Sequence, residues 1–488
     1  MEQESFPSHV VVFPFPVQSH VNVMLNLAEI FSLSGFQVTF LIPDHIRKGP
    51  RFDQISSRFT RYPGFIFKTI SDGLSVNHPR TGDRVKELFD SINATTRPLF
   101  RIILKSRSLI CNGRAPLTCI VADGIMSFAI DIAKDFDLPT ILFRPFSATC
   151  FWTLFCVPKL IQAGELPLKG VIFVTILFCI YGLSSSNYAW DSDMEKLVEN
   201  VPGMEGVLRL RDLPSFCRVE DVSNPQLQHV VSETHRATNA YGLILNTFED
   251  LEESALAHIR ANIPKLYVIG PLHGYLRPLQ GSKSLSEEDR KCIEWLDDQP
   301  LRSVVFVSFG NMTVLNIHQL MEFWHGLLNS GKPFLWVISG NLTTGKCHFP
   351  ADGSVKKGKV VDWAPQEEIL SHPATGGFLT HCGWNSTLES VCEGVPMICW
   401  PFYADQQVNS RLVEEVWRVG VDMKDICDRR MVEKMVRELM EVRREEFVKS
   451  AQEMARLARK SVSEGGASSV SLDSLVRDIK VMSHGKST

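Results

Sequence analysis

The amino-acid sequence predicts two α/β domains, each built on a parallel sheet, that face each other across a cleft. Three observations support this prediction. The chain has 488 residues, 44% hydrophobic and 22% charged, which is typical of globular proteins and long enough for two large α/β units. Apolar runs of strand length alternate with helical stretches in the first half. The same alternation restarts in the second half, after a segment containing Gly, Pro and Ser.

The elements of the first half follow from the spacing of apolar residues. Strands separated by helices imply βαβ units, in which neighbouring strands run parallel. The helix after the first strand ends at a glycine, the usual helix stop signal. Strands are predicted at 9–15, 37–42, 65–70, 117–123 and 140–145, and helices at about 21–33, 85–109 and 127–136.

The second half repeats this pattern, and the composition changes between residues 246 and 301. Ser284 and Glu287 there have the spacing of a capping box that begins a helix. We predict an N-terminal domain at 1–255, a linker at 256–285, a C-terminal domain at 286–460, and a tail at 461–488 that returns towards the N-terminal domain. Strands are predicted at 304–311, 333–339, 359–363, 376–383 and 396–402, with amphipathic helices over 429–460.

Charge and cysteine content restrict the partners and the compartment. There are 51 Lys plus Arg against 55 Asp plus Glu, and a net charge of −4 gives no electrostatic basis for binding nucleic acid or anionic membranes. The 12 cysteines include no C-x-x-C pair, which indicates free thiols in a reducing compartment. The chain starts without the cationic region of a signal peptide. We therefore expect a cytoplasmic protein that binds small molecules.

A strand-to-helix junction in the second half has the features of a diphosphate site. The predicted strand ends in T-H-C-G and a helix opens with W-N-S, which leaves the backbone N–H groups of Gly383 to Ser386 free and points the positive helix end at the cleft. Glu389, one turn along this helix, can accept hydrogen bonds from the two hydroxyls of a ribose. Trp363, at a predicted strand end, offers a flat face to a nucleobase. A tryptophan packed in the core is the alternative.

His20 and Asp123 form a second candidate site, in the N-terminal half. His20 lies between the first predicted strand and a helix, and Asp123 ends another strand, so both can reach the same cleft. The helix N-terminus favours a neutral imidazole that can accept a proton, and an aspartate stabilises the imidazolium that then forms. A lone histidine at such a position is usually structural, but its pairing with Asp123 indicates a general base.

Residues 363–406 (WAPQEEILSHPATGGFLTHCGWNSTLESVCEGVPMICWPFYADQ) resemble the signature segment of plant UDP-dependent glycosyltransferases. The elements W-x-P-Q, I-L-x-H, T-H-C-G-W-N-S, E, G-V-P and D-Q are matched without a gap. The resemblance extends over nearly the whole chain and implies two Rossmann-like domains of the GT-B type. It also implies UDP-glucose as donor, since this family's glucose-using members end the segment in Asp-Gln. The reaction would invert the sugar to a β-glucoside without a metal or other cofactor.

The resemblance assigns a role to each candidate residue. His20 would deprotonate the acceptor, and Asp123 would orient the histidine and balance its charge. Ser308 would lie in the phosphate loop beside the junction at Gly383. The remaining contacts implied are Trp363 stacking on uracil and the Ala364 backbone on its edge, Gln366 and Glu389 on the ribose, His381, Asn385 and Ser386 on the phosphates, and Trp384, Asp405 and Gln406 on the sugar hydroxyls.

The sequence departs from the family pattern in places. Pro145 stands where many relatives have a threonine that touches the sugar, and Asn311 where Ser or Thr is usual. An apolar run over 171–182 has no counterpart in relatives and is far shorter than the roughly 20 residues needed to cross a bilayer. Every valine codon begins with GT, the usual intron donor, so we interpret residues 171 to about 190 as translated intron. The alternative is a real insert on the acceptor side.

Several runs resemble the branch of the family that acts on iridoids and related small terpenoids: ELPLKG, VPGMEGVLRLRDLPSFCR and FRPFSATCFW. We therefore expect a small hydrophobic acceptor bearing a hydroxyl or carboxyl, and a monomeric enzyme. A metal-dependent transferase is a weaker hypothesis, because the D-x-D pair at residues 191–193 is far in sequence from the nucleotide segment. The main alternative is a non-catalytic protein that binds UDP-sugar but has lost turnover.

Overall fold

The computed structural model describes residues 7–106, 109–110, 113–168, 192–279, 286–338 and 357–484. Strands and helices alternate along these ranges. The strands are β1 (His9–Phe13), β2 (Gln37–Pro43), β3 (Phe65–Ile70), β4 (Leu117–Asp123), β5 (Thr140–Arg144), β6 (Gly242–Leu245), β7 (Leu266–Val268), β8 (Val304–Ser308), β9 (Phe334–Val337), β10 (Gly358–Val361), β11 (Thr375–Thr380), β12 (Met397–Cys399) and β13 (Gly420–Asp422).

Helices connect most of these strands. The helices are α1 (Gln18–Leu33), α2 (Asp44–Arg47), α3 (Phe52–Ser57), α4 (Val85–Ser91), α5 (Arg97–Lys105), α6 (Phe128–Lys134), α7 (Ala148–Phe155), α8 (Val157–Gln162), α9 (Pro225–His235), α10 (Glu249–Asn262), α11 (Leu272–Leu276), α12 (Glu287–Asp297), α13 (Ile317–Ser330), α14 (Gln366–Ser371), α15 (Trp384–Glu393), α16 (Gln406–Arg411), α17 (Arg429–Arg437), α18 (Arg444–Val462) and α19 (Ala467–His484). Two short 3₁₀ turns, Leu210–Asp212 and Ser215–Cys217, lie between α8 and α9.

The strands form two parallel sheets, which confirms the predicted fold class. The first has the order β3-β2-β1-β4-β5-β6-β7 and the second β10-β9-β8-β11-β12-β13. In each sheet the strand order reverses once, between β1 and β4 and between β8 and β11, where Val12 pairs with Val121 and Val307 with Leu379. Ligands of such sheets bind beyond the carboxyl ends of the strands at these reversals. The topology therefore fixes two neighbouring places for a site.

Alternate residues of the central strands face opposite cores. On β1, Val10 and Val12 belong to a cluster that includes Leu475 of α19, whereas Val11 and Phe13 belong to a second cluster. This second cluster is continuous with one face of the second sheet, so apolar packing joins the two halves. Helix α19, in the predicted tail, packs on the first sheet, and the Tyr267 hydroxyl donates to the Asp478 carboxylate at 2.6 Å.

Some elements differ from the sequence prediction. Helix α12 is capped by Ser286 and Asp289, each accepting the other's backbone N–H at 3.1 Å, so its capping box is not Ser284 with Glu287. His20 lies in the first turn of α1 rather than before the helix. Strand β7 pairs with β6, so the first sheet extends into the span predicted as linker. A three-residue strand followed by Gly and Pro is too short to stand out from a loop.

Residues 171–190, interpreted as translated intron, lie outside the described ranges. No helix within those ranges combines the length and apolar character that crossing a membrane requires. The cysteines the structure describes are free thiols, and only Cys427 among them is not fully buried.

Candidate active site

The first reversal point brings His20 and Asp123 together. His20 Nδ1 lies 2.7 Å from Asp123 Oδ2, across 103 positions of sequence. Asp123 is fully buried at the carboxyl end of β4, whereas a fifth of the His20 side chain is exposed in the first turn of α1. A carboxylate oxygen accepts, so Nδ1 carries the proton and Nε2 keeps a lone pair. This is the geometry of a general base with an orienting partner.

Backbone amides hold the Asp123 carboxylate in place. Oδ2 also accepts the N–H of Phe15 at 3.4 Å, and Oδ1 accepts the N–H of Ile125 at 3.1 Å. The Phe15 ring lies 5.1 Å from the imidazole of His20, centroid to centroid. The Asp123 carboxylate is therefore held by backbone N–H groups that follow β1 and β4. The imidazole of His20 packs against the apolar ring of Phe15. Phe15 was not predicted, although it directly follows the F-P of the first apolar run.

The predicted diphosphate site lies at the second reversal of strand order, between β8 and β11. Strand β11 ends at Thr380, three residues before its predicted end, and α15 begins with Gly383 as its N-cap, where the sequence predicts the start of the helix. Burial lowers the pKa of His381 to about 4, opposed by a hydrogen bond to the Ser308 backbone, so its imidazole is neutral at physiological pH. Its Nδ1 is buried and has no hydrogen-bond partner in the part of the chain that the structure describes. The site at this helix end thus offers a neutral hydrogen-bonding ring, not a cation.

Two glycines make room for the His381 ring. A Cβ placed on Gly310 or on Gly383 would lie 2.5 Å from Nε2 of His381. Gly310 also has a φ of +69°, in the left-handed region. Gly383 has a φ of −58°, which any residue can adopt, so packing against His381 is its special requirement.

Gln366 and Glu389, predicted to hold a ribose, lie in one polar group. The Gln366 amide nitrogen donates to Glu389 Oε2 at 2.6 Å and to Ser386 Oγ at 2.9 Å. Their elements, α14 and α15, pack side by side, and this brings a glutamine near the start of α14 to the first turns of α15. Gln366, Ser386 and Glu389, all predicted donor-site residues, are therefore hydrogen-bonded to one another in the structure.

Trp363 is more exposed than a core residue, with 36% of its surface accessible. It lies two residues beyond the end of β10 rather than at the strand end, and Ala364 next to it is buried. The guanidinium of Arg51, from the first half, lies over the Trp363 ring at 3.4 Å from its centroid. A base that stacks on this ring must use the opposite face or displace Arg51.

Two predicted residues of α15 are engaged across the cleft. The Asn385 amide nitrogen donates to the carbonyl oxygen of Ser19 at 3.0 Å. The Trp384 indole N–H donates to the Asn246 carbonyl at 2.8 Å, and its side chain is buried. The resemblance implied phosphate and sugar contacts for Asn385 and Trp384. In the structure these side-chain donors already bind the backbone of the N-terminal half.

Asp405 is the N-cap residue of α16, and Gln406 is the first residue of that helix. Burial raises the pKa of the Asp405 carboxyl to about 6, opposed by the hydrogen bond from Asn409 and by the charge of His20. The Asn409 amide nitrogen donates to Asp405 Oδ2 at 2.7 Å and to the Cys382 carbonyl at 2.9 Å. Gln406 Oε1 accepts the N–H groups of Phe402 and Tyr403 at 2.7 and 2.8 Å. Both side chains are thus held by hydrogen bonds. Asp405 also interacts electrostatically with His20, whose charge lowers the pKa of the Asp405 carboxyl.

Sequence reasoning missed Asn409 and Glu252. Asn409 is four residues after Asp405 in the same helix, and this spacing was a usable signal. Glu252 is buried and accepts the N–H groups of Ala148 and Thr149 at 2.9 and 2.8 Å, at the start of α7. Its long separation from α7 in sequence left no signal.

One group of potential metal ligands occurs among the described residues: Asp44, His45 and Asp72, at the carboxyl ends of β2 and β3. The guanidinium of Arg80 donates to both oxygens of Asp72, at 2.6 and 2.9 Å. The cation of Arg80 therefore already neutralises the buried carboxylate of this group.

The chain is similar to known glycosyltransferases. The family model for UDP-glucoronosyl and UDP-glucosyl transferase matches residues 280–458. The chain is 48% identical over 497 residues to a 7-deoxyloganetic acid glucosyltransferase of Catharanthus roseus, covering 98% of both chains. It is 40% identical to a myricetin 3-O-rhamnoside 1,2-glucosyltransferase of Crocosmia x crocosmiiflora, covering 99% of this chain and 98% of that one.

Solved structures agree. Os79 from O. sativa in complex with UDP aligns with a TM-score of 0.76 and 26% identity, over 96% of this chain and 100% of that one. A Phytolacca americana glycosyltransferase with UDP-2-fluoro-glucose and pterostilbene aligns with a TM-score of 0.76 and 26% identity, over 98% and 100%. The protein is therefore an enzyme of GT-B architecture, and it belongs to the UDP-glucuronosyl and UDP-glucosyl transferase family.

Proposed function

We propose that this enzyme transfers glucose from UDP-glucose to a hydroxyl or carboxyl of a small hydrophobic plant metabolite, an iridoid or related terpenoid, with inversion to a β-glucoside. The observation that carries the proposal is the His20–Asp123 pair, in which Nδ1 lies 2.7 Å from Oδ2 and the charge of the histidine acts on Asp405 of the other half. The Catharanthus roseus relative acts, by its name, on an iridoid acid. A Gardenia jasminoides relative, 36% identical, is named a 7-deoxyloganetin glucosyltransferase.

The proposed step uses the free lone pair of His20. Nε2 takes the proton of the acceptor O–H, the acceptor oxygen bonds to the anomeric carbon, and the bond from that carbon to UDP breaks with its electron pair leaving on the diphosphate. The Asp123 carboxylate stabilises the imidazolium, and proton transfer to a positioned general base contributes about 10²–10⁴-fold to the rate. The negative charge that develops on UDP is stabilised by backbone N–H groups of α15 and by the neutral His381 ring, so the step needs no added cation.

The surroundings of His20 support an apolar acceptor. Phe15, next to the imidazole, lies 5.8 Å from Phe89, and Phe89 lies 4.5 Å from the ring of His229. The imidazole of His20 thus borders aromatic rings of the N-terminal half. Phe15 and Phe89 belong to the same buried cluster as Trp152, whose indole N–H donates to the Pro202 carbonyl at 2.8 Å.

The test is an acceptor screen with UDP-glucose that measures released UDP and identifies the product. Transfer to an iridoid or terpenoid, with the large anomeric proton coupling of a β-linked glucose, is the expected result. An α-linked product would contradict the inverting step. Binding of UDP with no release from UDP-glucose over the whole panel would favour the non-catalytic UDP-sugar-binding protein instead.

A further inference from the structure

Ser215, in the N-terminal half, makes two hydrogen bonds to Ala404. Ala404 ends the loop that leads to Asp405 and Gln406 at the start of α16. The Ser215 N–H donates to the Ala404 carbonyl at 2.9 Å, and the Ala404 N–H donates to Ser215 Oγ at 2.8 Å. One residue thus satisfies both backbone groups of Ala404 from 189 positions away.

Ala404 needs such support because of its backbone conformation. Its φ is +58°, a left-handed value that is strained for a non-glycine residue and persists where surrounding contacts impose it. The residues on either side are also held: the Tyr403 ring packs edge-on against Phe216 at 5.2 Å, and Asp405 accepts from Asn409. The conformation of this loop is therefore set by contacts with residues 215 and 216.

The segment that carries Ser215 is itself anchored to the donor half. The guanidinium groups of Arg211 and Arg218 bind Asp425 at 3.0 and 3.3 Å. The Arg411 guanidinium donates to the Val207 carbonyl at 2.8 Å. Lys424 forms ion pairs with Asp212 on this segment and with Asp422 at the end of β13. Ser215 consequently has a fixed position relative to the donor loop.

We propose that Ser215 is a positioning residue for the donor sugar. By holding Ala404, it sets the Asp405 carboxylate and the Gln406 amide against the sugar hydroxyls. This inference rests on the proposed function, in which those two side chains hold glucose. It follows that Ser215 affects use of the sugar part of the donor, while binding of UDP, whose predicted contacts lie on other elements, does not depend on it.

The test compares Ser215→Ala with Ser215→Thr, which keeps the hydroxyl. The control is Ser223→Ala, which removes a hydroxyl that donates to Asp221 in its own exposed turn. We expect Ser215→Ala to lower kcat/KM for UDP-glucose about tenfold, as loss of one hydrogen bond can, and Ser215→Thr to recover most of it. The inhibition constant of UDP and the KM for the acceptor should stay unchanged in all three variants, and any fall in melting temperature in Ser215→Ala should be restored in Ser215→Thr. Ser223→Ala should behave as wild type.

Two outcomes would overturn the inference. Unchanged kcat/KM in Ser215→Ala would show that the hydroxyl does not position the sugar. Equal weakening of UDP and UDP-glucose, or a lower melting temperature that Ser215→Thr does not restore, would show a general structural role. Failure of the proposed function is distinguishable, because then the wild-type enzyme itself would not transfer glucose from UDP-glucose.

Discussion

The Asn385 amide nitrogen donates a 3.0 Å hydrogen bond to the carbonyl oxygen of Ser19, the residue before His20. This bond joins the first turn of α15, in the donor half, to the first turn of α1, which carries the proposed base. Asn385 Oδ1 is buried, and no group in the described ranges donates to it. The side chain thus links the two halves next to the proposed base.

Replacing Asn385 with Ala should lower kcat more than it lowers UDP affinity. Loss of this one hydrogen bond, worth about 1 kcal/mol, frees the backbone beside His20, and we expect a five- to tenfold fall in kcat with little change in the UDP dissociation constant. Steady-state kinetics and titration calorimetry measure the two quantities. Asn262→Ala, whose exposed amide nitrogen donates to the His258 carbonyl in its own helix, is the matched control and should leave both quantities unchanged. If UDP affinity falls as far as kcat in Asn385→Ala, the phosphate contact implied by the family resemblance is correct instead.

Gly383→Ala should damage the donor site through His381. The backbone of Gly383 tolerates alanine, but the new Cβ would lie 2.5 Å from the imidazole and displace it. We expect a higher KM for UDP-glucose in Gly383→Ala and in His381→Ala. In the double variant the second change should add little, because the clashing ring is gone. Additive losses in this double-mutant cycle would show that the two positions act independently.

The raised pKa of Asp405 predicts a pH dependence for donor use. Its carboxyl, with a pKa of about 6, is ionised above that pH and can accept from sugar hydroxyls, whereas below it the group is protonated and loses this capacity. KM for UDP-glucose should therefore rise as the pH falls through 6. In Asp405→Asn the KM should be high and should not change over this range.

The same pKa predicts an effect on stability. Burial raises the folded-state pKa of Asp405 above its usual value, so the folded state binds more protons, and stability attributable to this group falls as pH rises towards 6. Asp405→Asn should raise the melting temperature at neutral pH and have a smaller effect at pH 4. An equal effect at both pH values would contradict the assigned shift.

Helix α19 should contribute directly to the stability of the first domain. Leu475 is fully buried against the first sheet, so Leu475→Ala should cost about 2–5 kcal/mol in the free energy of unfolding. Val470, in the same helix, is 55% exposed, and Val470→Ala is the matched control with little expected effect. Denaturant titration compares them. Equal, small losses would mean that α19 does not form part of the core.

The sequence allowed local elements and motifs to be predicted, but not contacts across the cleft. Strand β4 was predicted with its observed bounds, because a continuous apolar run ends at Asp123-Gly124. The pairing of His20 with Asp123 followed from two strand ends at one sheet edge. Arg51 over Trp363 and Asn385 on Ser19 could not be predicted, since they join residues hundreds of positions apart with no shared pattern.

The most direct test of the central claim, that His20 is the general base, is the turnover of His20→Ala measured beside its affinity for UDP. Loss of the base should lower kcat by about 10²–10⁴-fold, while the UDP dissociation constant stays close to the wild-type value because the donor contacts lie on the other half. A variant that keeps most of its turnover, or that loses UDP binding together with turnover, would contradict the account.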